Sequence, residues 1–510
     1  MISSVKSCGL FGIDGYIVDV EADVSKGLPS FDVVGLPDTA VKESRERVRA
    51  AIKNSLLEFP SRRITINLAP AHIKKEGPFY DLPICIGILS CTEQIKNKEI
   101  DDYMFLGELS LTGELRPVCG ALPMIISAVQ NGIKKIILPE ENKHEAAVVK
   151  GAEIYPAKNL AEIVAHFSGI EPLKQYEENI DDVFNQNRIY GVDFADVKGQ
   201  ENAKRALCVA AAGGHNVLMI GSPGSGKTML AQRLPSILPP LSFEEALEVT
   251  KIHSIAGVLP EKTSLISQRP FRSPHHTISA AGIAGGGRIP RPGEISLSHN
   301  GVLFLDELPE FSKDTLEVMR QPLEDGVVTI ARVSATLTYP ANTMLVAAMN
   351  PCKCGYYGDT ARQCTCSESQ VKQYLSKISG PLLDRIDLHV EVPSVKYSDL
   401  ESKTVQETSE QIRAKVTVAR KIQQERFKDV EGVYSNSQMT PILVEKYCQL
   451  GENETKILKA AFERLGLSAR AHNRILKVAR TIADLKGSEN IKTEHLAEAI
   501  QYRSLDRQRI

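Results

Sequence analysis

A glycine-rich loop carries the clearest chemical signal in this sequence. It lies in HNVLMIGSPGSGKTMLAQRL, between an apolar strand pattern and a helical pattern, which is the context of a phosphate-binding P-loop. Its glycines allow backbone N–H groups to surround phosphate oxygens, while Lys227 reaches the β- and γ-phosphates and Thr228 binds Mg²⁺. The predicted nucleotide-binding residues of the loop are Gly221, Ser222, Pro223, Gly224, Ser225, Gly226, Lys227 and Thr228. A chance glycine-rich turn is the weak alternative, because a strand and a helix both flank the loop.

Two carboxylates and an amide follow other apolar runs and could act on the bound nucleotide. GVLFLDELPEF ends a strand pattern with Asp306 and Glu307. Asp306 could hold Mg²⁺, directly or through water, and Glu307 could polarise the attacking water. TMLVAAMNP ends near Asn350, which could orient that water against the γ-phosphate, although an asparagine that caps a turn is the alternative. These residues predict an ATPase with ATP and Mg²⁺ as cofactors.

One arginine between two aspartates, in SGPLLDRIDLHVEVP, could complete the hydrolytic site. A guanidinium stays charged and can clamp phosphoryl oxygens, so Arg385 is a candidate arginine finger from a neighbouring subunit. The alternative is a surface Arg385 paired with Asp384 or Asp387. Spacing alone does not choose between the two.

Four of the ten cysteines cluster in NPCKCGYYGDTARQCTC, residues 350–366. Cys352, Cys354, Cys364 and Cys366 could supply four thiolates to a tetrahedral Zn²⁺. Such a closed site would be structural, fixing a loop that has little core of its own without touching the chemistry. Only one residue separates each pair, which is tighter than common zinc spacings. Free buried thiols are the first alternative and a disulfide is the second.

A basic stretch precedes the Asp306 strand, in QRPFRSPHHTISAAGIAGGGRIPRPGE, and residues 262–293 contain no acidic residue. Its glycines and prolines predict a projecting mobile loop, which could bind DNA phosphates with salt-dependent affinity. The predicted DNA-binding arginines of this loop are Arg269, Arg272, Arg288 and Arg291. The alternative is subunit packing, with the arginines bonded to carbonyl oxygens. The adjacent His275 and His276 point apart, so we predict that they pack within the loop rather than bind a metal.

The elements that must position these residues fall into four segments. Residues 1–168 alternate β-rich and helical patterns, as an α+β domain does, and residues 169–190 form an acidic linker. Strands alternate with helices over 191–395, which predicts an α/β core with a parallel sheet and crossover helices. Residues 396–510 are helical throughout, as a lid would be.

The totals agree with a multidomain globular protein. A chain of 510 residues, 42% hydrophobic and 24% charged, exceeds what one core supports. We expect a cytoplasmic protein without a membrane partner, because the sequence has no basic and apolar leader and no apolar run of about 20 residues. The net charge of −2 gives no general attraction to polyanions, so any nucleic acid must be held by a local patch.

Several motifs together resemble those of the magnesium-chelatase-like AAA+ ATPases. They are GSPGSGKT, GEISLSHNGVLFLDELPEF, RQPLEDG, YPANTMLVAAMNPC, SGPLLDRIDL and SARAHNRILKVARTIADL. Nearly the whole chain is similar to the ComM/YifB branch of that group, including its N-terminal Lon-protease-like domain. The resemblance implies an AAA+ P-loop core with a helical lid, preceded by a Lon-like domain of the ribosomal S5 domain 2 type.

The resemblance also implies roles for single residues. Asn350 would be sensor 1, Arg385 the arginine finger and Arg470 the sensor 2 arginine, with Arg474 a weaker candidate for that last role. Three residues would lie near the adenine, namely Val197, Gly199 and Gln200. Because an arginine finger acts on the next subunit, the resemblance implies a ring, most simply a homo-hexamer.

The front domain is predicted to lack protease activity. KEGPFYDLPICIGIL and LTGELRPVCGALPMIISAVQNGIKKIILPEEN resemble the two Lon segments that carry a serine–lysine dyad. This chain has Phe79 where the serine would stand, and Pro123 and Ile125 at the helix positions of the lysines. A phenyl ring cannot attack a carbonyl, so we expect assembly or substrate guidance as the role of this domain.

The function expected from the resemblance is a DNA-translocating ring motor, a branch-migration helicase for recombination intermediates in DNA uptake, with recombination proteins as further partners. EDGVVTIARVSATLTYPA predicts a hairpin with Arg332 near its turn. By similarity to minichromosome-maintenance helicases this turn would face the pore and touch DNA, and a plain surface arginine is the alternative. Two other classes stay open, a chelatase-type ATPase that remodels a protein partner and an ATP-gated scaffold.

Overall fold

The computed structural model describes residues 1–95, 98–179, 184, 190–287, 290–331, 336–359, 362–395, 406–465 and 467–503. Contacts divide the chain into two compact units. Unit 1 comprises Met1–Asn187, Phe243–Ser267 and Val333–Thr338, and unit 2 comprises Arg188–Ser242, Gln268–Arg332 and Tyr339–Ile510. The four-segment division stays a prediction, since the contacts resolve two units and place part of the 191–395 segment in unit 1.

The strands are numbered in chain order. They are β1 Ile2–Phe11, β2 Asp14–Ser25, β3 Ser30–Val34, β4 Arg63–Ala69, β5 Tyr103–Phe105, β6 Glu108–Leu109, β7 Leu115–Arg116, β8 Lys135–Pro139, β9 Glu153–Ala157, β10 Val217–Ile220, β11 Phe271–Arg272, β12 Gly285–Gly286, β13 Arg291–Pro292, β14 Val302–Leu305, β15 Val327–Ala331, β16 Thr336–Pro340, β17 Met344–Met349 and β18 Leu388–Glu391.

The α-helices are numbered in the same way. They are α1 Thr39–Asn54, α2 Asp81–Cys91, α3 Ala121–Gln130, α4 Lys143–Ala147, α5 Leu160–Phe167, α6 Glu201–Gly213, α7 Lys227–Arg233, α8 Phe243–Ala256, α9 Ala280–Ala284, α10 Glu294–Leu297, α11 Lys313–Val318, α12 Arg320–Asp325, α13 Glu368–Leu375, α14 Gly380–Leu383, α15 Ser409–Phe427, α16 Pro441–Tyr447, α17 Glu452–Leu465, α18 Ala469–Leu485 and α19 Thr493–Gln501.

Unit 1 is built on a seven-stranded sheet of order β3-β4-β2-β1-β5-β8-β9. Strand β2 shows why its sequence forms a strand, because alternate residues face the core. These buried residues are Val18, Val20, Ala22 and Val24. Helix α2 packs on β1 and β2 and buries nearly all of its residues, whereas α1 buries one face and begins at Asp38, whose side chain accepts the Val41 N–H at 2.8 Å.

Helix α8 belongs to unit 1, although it follows the P-loop segment in the chain. It packs against α3, and the Ser254 hydroxyl donates to Glu145 at 2.5 Å. The Glu145 carboxylate is buried and also accepts from Asn142 Nδ2 at 2.7 Å. Burial raises the pKa of Glu145. Helix α8 is therefore packed against the front domain.

Unit 2 contains a parallel five-stranded sheet of order β11-β14-β17-β10-β18. Its central strands are short and buried on both faces, as expected where helices cover both sides of a parallel sheet. In register, Ile220 pairs with Met349, and Leu305 pairs with Ala347. The loops that follow β14, β17 and β10 therefore leave the same edge of the sheet. The predicted α/β core with a parallel sheet is confirmed. Strands β15 and β16 form a two-stranded sheet, and the turn of the predicted hairpin lies outside the described residues.

The C-terminal helices of unit 2 form the lid. Helix α15 starts in a capping box, in which Thr408 and Gln411 each accept the backbone N–H of the other. The longest lid helix after it, α18, buries one apolar face with residues at helical spacing, including Ile475, Val478 and Ile482. In the part of the chain that the structure covers, no helix combines the length and the apolar character needed to cross a membrane.

Candidate ATP-hydrolysis site

The P-loop joins β10 to α7 in the predicted way. Gly224 and Gly226 have φ of +79° and +86°, values that residues with a Cβ rarely adopt, so the bend of the loop depends on glycine. The Lys227 ammonium lies inside this bend and donates to the carbonyls of Gly221 at 2.7 Å and Ser222 at 3.0 Å. Burial lowers the pKa of Lys227, and the nearby Asp306 carboxylate opposes that shift.

The magnesium ligands predicted from sequence lie side by side. The Thr228 hydroxyl donates to Asp306 Oδ2 at 2.7 Å, although 78 residues separate them in the chain. Hard oxygen ligands of this kind, one hydroxyl and one carboxylate, suit Mg²⁺, which completes its shell with phosphate and water. Glu307 follows with φ of +52°, which turns the chain at the strand end and leaves its carboxylate exposed. The residues present therefore fit a magnesium nucleotide.

Asn350 ends the strand that separates the two nucleotide-binding strands. Strand β17 lies between β14 and β10, so Asn350 leaves the sheet between Asp306 and the P-loop. Its Oδ1 accepts from Lys227 Nζ at 3.3 Å. The strand order thus places Asn350 between the nucleotide strands, where the sequence predicted it, and its role in orienting water stays a prediction.

His276 is a neighbour of the site that the sequence did not reveal. Its Nδ1 lies 3.5 Å from Glu307 Oε2, so this ring borders the carboxylate expected to polarise water. The His275 and His276 rings lie side by side, with centroids 4.1 Å apart and planes tilted by 34°, so the expectation that they point apart is wrong. Phe311 lies edge-on to His276. The prediction of loop packing therefore covers only part of the role of His276. No spacing rule could have joined it to Glu307, 31 positions away.

Gln200 supports the P-loop. Its Nε2 donates to the carbonyls of Ser225 at 2.6 Å and Pro393 at 3.1 Å, while its buried Oε1 has no hydrogen-bond partner among the described residues. That unsatisfied acceptor fits an amino donor such as that of adenine. Val197 is fully buried in the core of unit 2, and Gly199 turns the chain with φ of +64°.

Arg385 is held within its own subunit. Its Nη2 lies 2.7 Å from Glu324, Nη1 donates to the Pro381 carbonyl at 2.7 Å and Nε donates to the Arg320 carbonyl at 3.1 Å. The acidic partner is thus Glu324, whereas Asp387 binds Arg474. The role of Arg385 as an arginine finger stays a prediction.

The two sensor 2 candidates have different surroundings. Arg474 forms a buried ion pair with Asp387, which also accepts the Asn216 N–H at 3.1 Å and lies 3.3 Å from His215 Nδ1. Arg470, one turn earlier on α18, is exposed. Arg474 therefore fastens the lid to the sheet, and Arg470 keeps the freedom that a nucleotide contact needs.

The basic loop differs from a free phosphate-binding surface at two positions. Arg269 donates to the carbonyls of Pro239 and Asn300, both at 2.6 Å, and Arg272 forms a bidentate pair with Glu294 at 2.7 and 2.8 Å. These two guanidinium groups hold the fold together, as in the packing alternative, although their partners lie in the same chain. Arg291 is exposed. Arg288 and Arg332 lie outside the described residues.

The four cysteines of residues 352–366 converge. The Cys354 sulfur lies 3.3 Å from that of Cys352 and 3.5 Å from that of Cys364, and the sulfurs of Cys352 and Cys364 are 3.7 Å apart. All four sulfurs lie within 4.8 Å of one another. Zinc–sulfur bonds of about 2.3 Å at tetrahedral angles place sulfurs about 3.8 Å apart. The cluster is therefore compatible with zinc.

The front domain keeps apolar side chains where the Lon dyad would stand. Phe79 is 7% exposed and Ile125 fully buried, and Pro123 lies in the buried part of α3. These side chains offer neither a nucleophile nor a base.

Comparisons with known proteins agree with the geometry. The family model "Magnesium chelatase, subunit ChlI" matches residues 193–400, "Subunit ChlI of Mg-chelatase" matches 20–142, and "Magnesium chelatase, subunit ChlI C-terminal" matches 406–503. The chain is 43% identical over 510 residues to competence protein ComM of Haemophilus influenzae, covering 99% of this chain and 98% of the relative. It is 45% identical over 508 residues to the uncharacterized protein YifB of Escherichia coli, with the same coverage of both chains.

A partial likeness reaches a protease. The Lon protease of Rhizobium meliloti is 25% identical over 166 residues, which are 30% of this chain and 20% of that protein. The P-loop, the paired carboxylates and Asn350 lie at one edge of the sheet. The chain belongs to the magnesium-chelatase-like AAA+ ATPases, in the ComM/YifB branch, which has an N-terminal Lon-protease-like domain.

Proposed function

We propose that this chain is an ATP-driven ring motor that moves along DNA and drives branch migration of recombination intermediates during DNA uptake. The observation that carries the motor is the meeting of Lys227, Thr228, Asp306 and Asn350 at one edge of the unit 2 sheet. Parallel strands that end at one edge bring distant side chains to one phosphate group. ATP hydrolysis is the reaction that these groups suit.

Each group has a distinct task in hydrolysis. The P-loop N–H groups and Lys227 bind the phosphates, and Thr228 and Asp306 provide oxygen ligands on the metal side. Glu307 accepts a proton from the attacking water, while Asn350 holds that water in line with the γ-phosphate. Mg²⁺, when bound, would neutralise the charge that develops on the phosphate oxygens. Arg470 and a neighbouring Arg385 would add positive charge.

The DNA assignment is supported by the loop between α8 and β14 and by the name of a relative. The loop has no acidic residue between positions 262 and 293, and its exposed Arg291 could bind a phosphate. The Haemophilus relative is named a competence protein, which supports a role in DNA uptake. Recombination proteins would be its partners in such a pathway.

A homo-hexameric ring follows if Arg385 acts on the next subunit. Glu324 would then have to release the guanidinium, because the pair at 2.7 Å occupies it within its own chain. An arginine finger contributes about 10³–10⁵ in turnover in well-studied phosphoryl-transfer enzymes. Assembly and hydrolysis would thus depend on each other.

A chelatase-type remodelling ATPase is the second candidate. It is favoured by the family models, whose descriptions name a magnesium chelatase subunit. The same site would then drive a change in a protein partner rather than movement along DNA.

One experiment separates these candidates. The ATPase rate is measured with no DNA, single-stranded DNA and branched DNA across a range of salt, for wild type, Lys227→Ala and Arg385→Ala. We expect DNA to stimulate the wild type and this stimulation to fall with salt. Lys227→Ala should lose nucleotide binding, whereas Arg385→Ala should bind ATP but not hydrolyse it.

The outcomes have separate meanings. If DNA changes neither rate nor binding at low salt, the DNA motor fails and the remodelling ATPase replaces it. If Arg385→Ala keeps full turnover, the role of this residue across the ring interface is wrong. Absence of ATP hydrolysis in the wild type with Mg²⁺ would reject both candidates.

The cysteine cluster is proposed to bind one structural Zn²⁺. Four thiolates at the observed separations satisfy a closed tetrahedral site, and reduced cysteines suit this metal. Metal analysis of the purified, reduced protein tests the proposal. Zinc at one per chain is the expected result, and its absence would reject the site.

A further inference from the structure

The cysteine knuckle, defined as residues 352–366, touches the phosphate-binding loop. Gly355 lies inside it with φ of +89°, and its N–H donates to the Cys352 carbonyl at 3.0 Å. A Cβ at Gly355 would lie 2.6 Å from Cδ and 2.7 Å from Cγ of Pro223, and 3.9 Å from Cγ of Asn350. The backbone at Gly355 therefore packs directly against the ring of Pro223 in the P-loop.

A second contact joins the far end of the knuckle to the same site. Helix α13 begins two residues after Cys366 and carries Tyr374, whose hydroxyl lies near the backbone of Asn350. Tyr374 is 8% exposed, and burial raises its pKa to about 12, so it is a neutral, fixed partner at physiological pH. Lys377, two residues after the end of this helix, forms an ion pair with Glu310, in which Lys377 Nζ lies 3.2 Å from Glu310 Oε2. Glu310 follows Glu307 by three residues.

Gly355 of the knuckle thus contacts Pro223 of the P-loop, and the segment that follows the knuckle lies near Asn350 through Tyr374 and pairs with Glu310 through Lys377. We propose that the metal-bound knuckle is a clamp on the phosphate-binding loop, so that zinc occupancy sets the affinity for ATP. This proposal rests on the proposed zinc site and ATP site. It goes beyond the expectation of a purely structural metal, because Gly355 of the knuckle contacts Pro223 of the P-loop.

The physical reason is pre-organisation. A loop that presents several N–H groups to phosphate binds tightly only if its conformation is held before the ligand arrives. Four thiolates on one ion fix the turn that carries Gly355, and Gly355 in turn limits the movement of Pro223. Without the ion, no bond holds the four sulfur atoms together, and the contact on Pro223 loses its support.

The test compares zinc content with ATP affinity in the full-length protein. A fluorescent ATP analogue is titrated in Mg²⁺ buffer, before and after a zinc-selective chelator, and zinc is measured in each sample. We expect zinc removal to weaken binding about tenfold or more, and Cys354→Ser to do the same. Cys119→Ser, a change at an exposed cysteine outside the knuckle, is the matched control and should bind like the wild type.

Gly355→Ala separates the clamp from metal loss. This variant keeps all four thiols, and its new methyl group would overlap the Pro223 ring, so we expect ATP binding to weaken about tenfold. Because φ of +89° also strains a residue with a Cβ, zinc is measured in the variant, and we expect it to be retained. Combining it with Pro223→Ala makes room for the methyl group. The double variant should therefore bind ATP more tightly than Gly355→Ala alone, a rescue that general destabilisation would not produce.

Each failure points to one proposal. The clamp would be overturned if the purified protein contains zinc but its ATP affinity does not change when the zinc is removed, and if Gly355→Ala binds ATP like the wild type. The zinc site would then still stand. Protein without zinc would overturn both the site and the clamp. Failure of the zinc-loaded wild type to bind ATP would instead overturn the proposed function.

Discussion

Replacing Arg474 by methionine tests whether this side chain holds the lid or contacts nucleotide. Asp387 is 5% exposed and has three partners, Arg474, the Asn216 N–H and His215. Removing one partner of a buried ion pair costs about 3–5 kcal/mol, because an uncompensated charge is left behind. The Arg474 side chain is 21% exposed, so water could replace part of the interaction. We therefore expect a loss of about 3 kcal/mol in the unfolding free energy of unit 2.

The pH dependence provides a second signature. Burial by itself would raise the pKa of Asp387, but Arg474, His215 and Lys477 outweigh it and lower the pKa below its usual value. Stability from such a carboxyl is present above the pKa of the unfolded chain, about 3.9, and is lost as pH falls below it. The difference between wild type and Arg474→Met should therefore shrink as pH falls below about 4.

The assay is urea unfolding followed by circular dichroism, since the chain has no tryptophan to report by fluorescence. Arg470→Met is the matched control on the same helix. Because Arg470 is exposed, its loss should change stability by no more than about 0.5 kcal/mol, but should slow hydrolysis about a hundredfold. If Arg474→Met unfolds like the wild type and loses only hydrolysis, Arg474 is the nucleotide contact and the assignment of Arg470 fails.

Three further substitutions test separate contacts. His276→Ala removes the ring beside Glu307, and kcat should fall about tenfold, part of the roughly 10²–10⁴ that a positioned base supplies, with KM for ATP unchanged in steady-state assays. Thr228→Val removes the hydroxyl bonded to Asp306, so calorimetry should find that Mg²⁺ no longer tightens ATP binding. Glu145→Gln removes a carboxyl whose pKa is raised by burial. Stability from a raised carboxyl pKa is lost as pH rises, so in thermal unfolding this variant should gain on the wild type between pH 4 and pH 8.

Each of these has its own control. His276→Gln retains a hydrogen-bonding group and should recover part of kcat, and a change confined to KM would contradict the positioning of Glu307. Thr228→Ser keeps the hydroxyl and should respond to Mg²⁺ like the wild type, whereas an equal response in Thr228→Val would remove Thr228 from the metal. A stability difference for Glu145→Gln that does not vary with pH would refute the raised pKa of this buried carboxyl.

The nucleotide site was largely predictable because its residues sit at fixed offsets from strand ends. The run before Asp306 and the run before Asn350 are apolar over whole strands, and parallel strands must end at a shared edge. Residue type and position then suffice, since the sheet supplies the meeting point. The alternation of β-rich and helical patterns predicted for residues 1–168 likewise corresponds to elements such as β2 and α1.

The partners of charged side chains could not be predicted in this way. Arg385 lies between two aspartates in sequence, yet it binds Glu324, 61 positions away. Arg470 and Arg474 occupy successive turns of one helix, and only the buried Asp387 decides between them. Short-range pattern gives the element and its face, but packing between elements distant in the chain chooses which carboxylate a guanidinium meets.

Helix α8 gives the front domain a structural role, because this helix packs on it. A truncated chain beginning at residue 190 would still carry this helix with its buried Val249 and Ile252, but α3, on which it packs, and Glu145, which accepts from Ser254, would be missing. Exposed apolar side chains and an unsatisfied hydroxyl would then favour aggregation. The N-terminal segment is therefore expected to be needed for the folding of a helix that the chain adds only after the P-loop, whatever chemistry that segment performs.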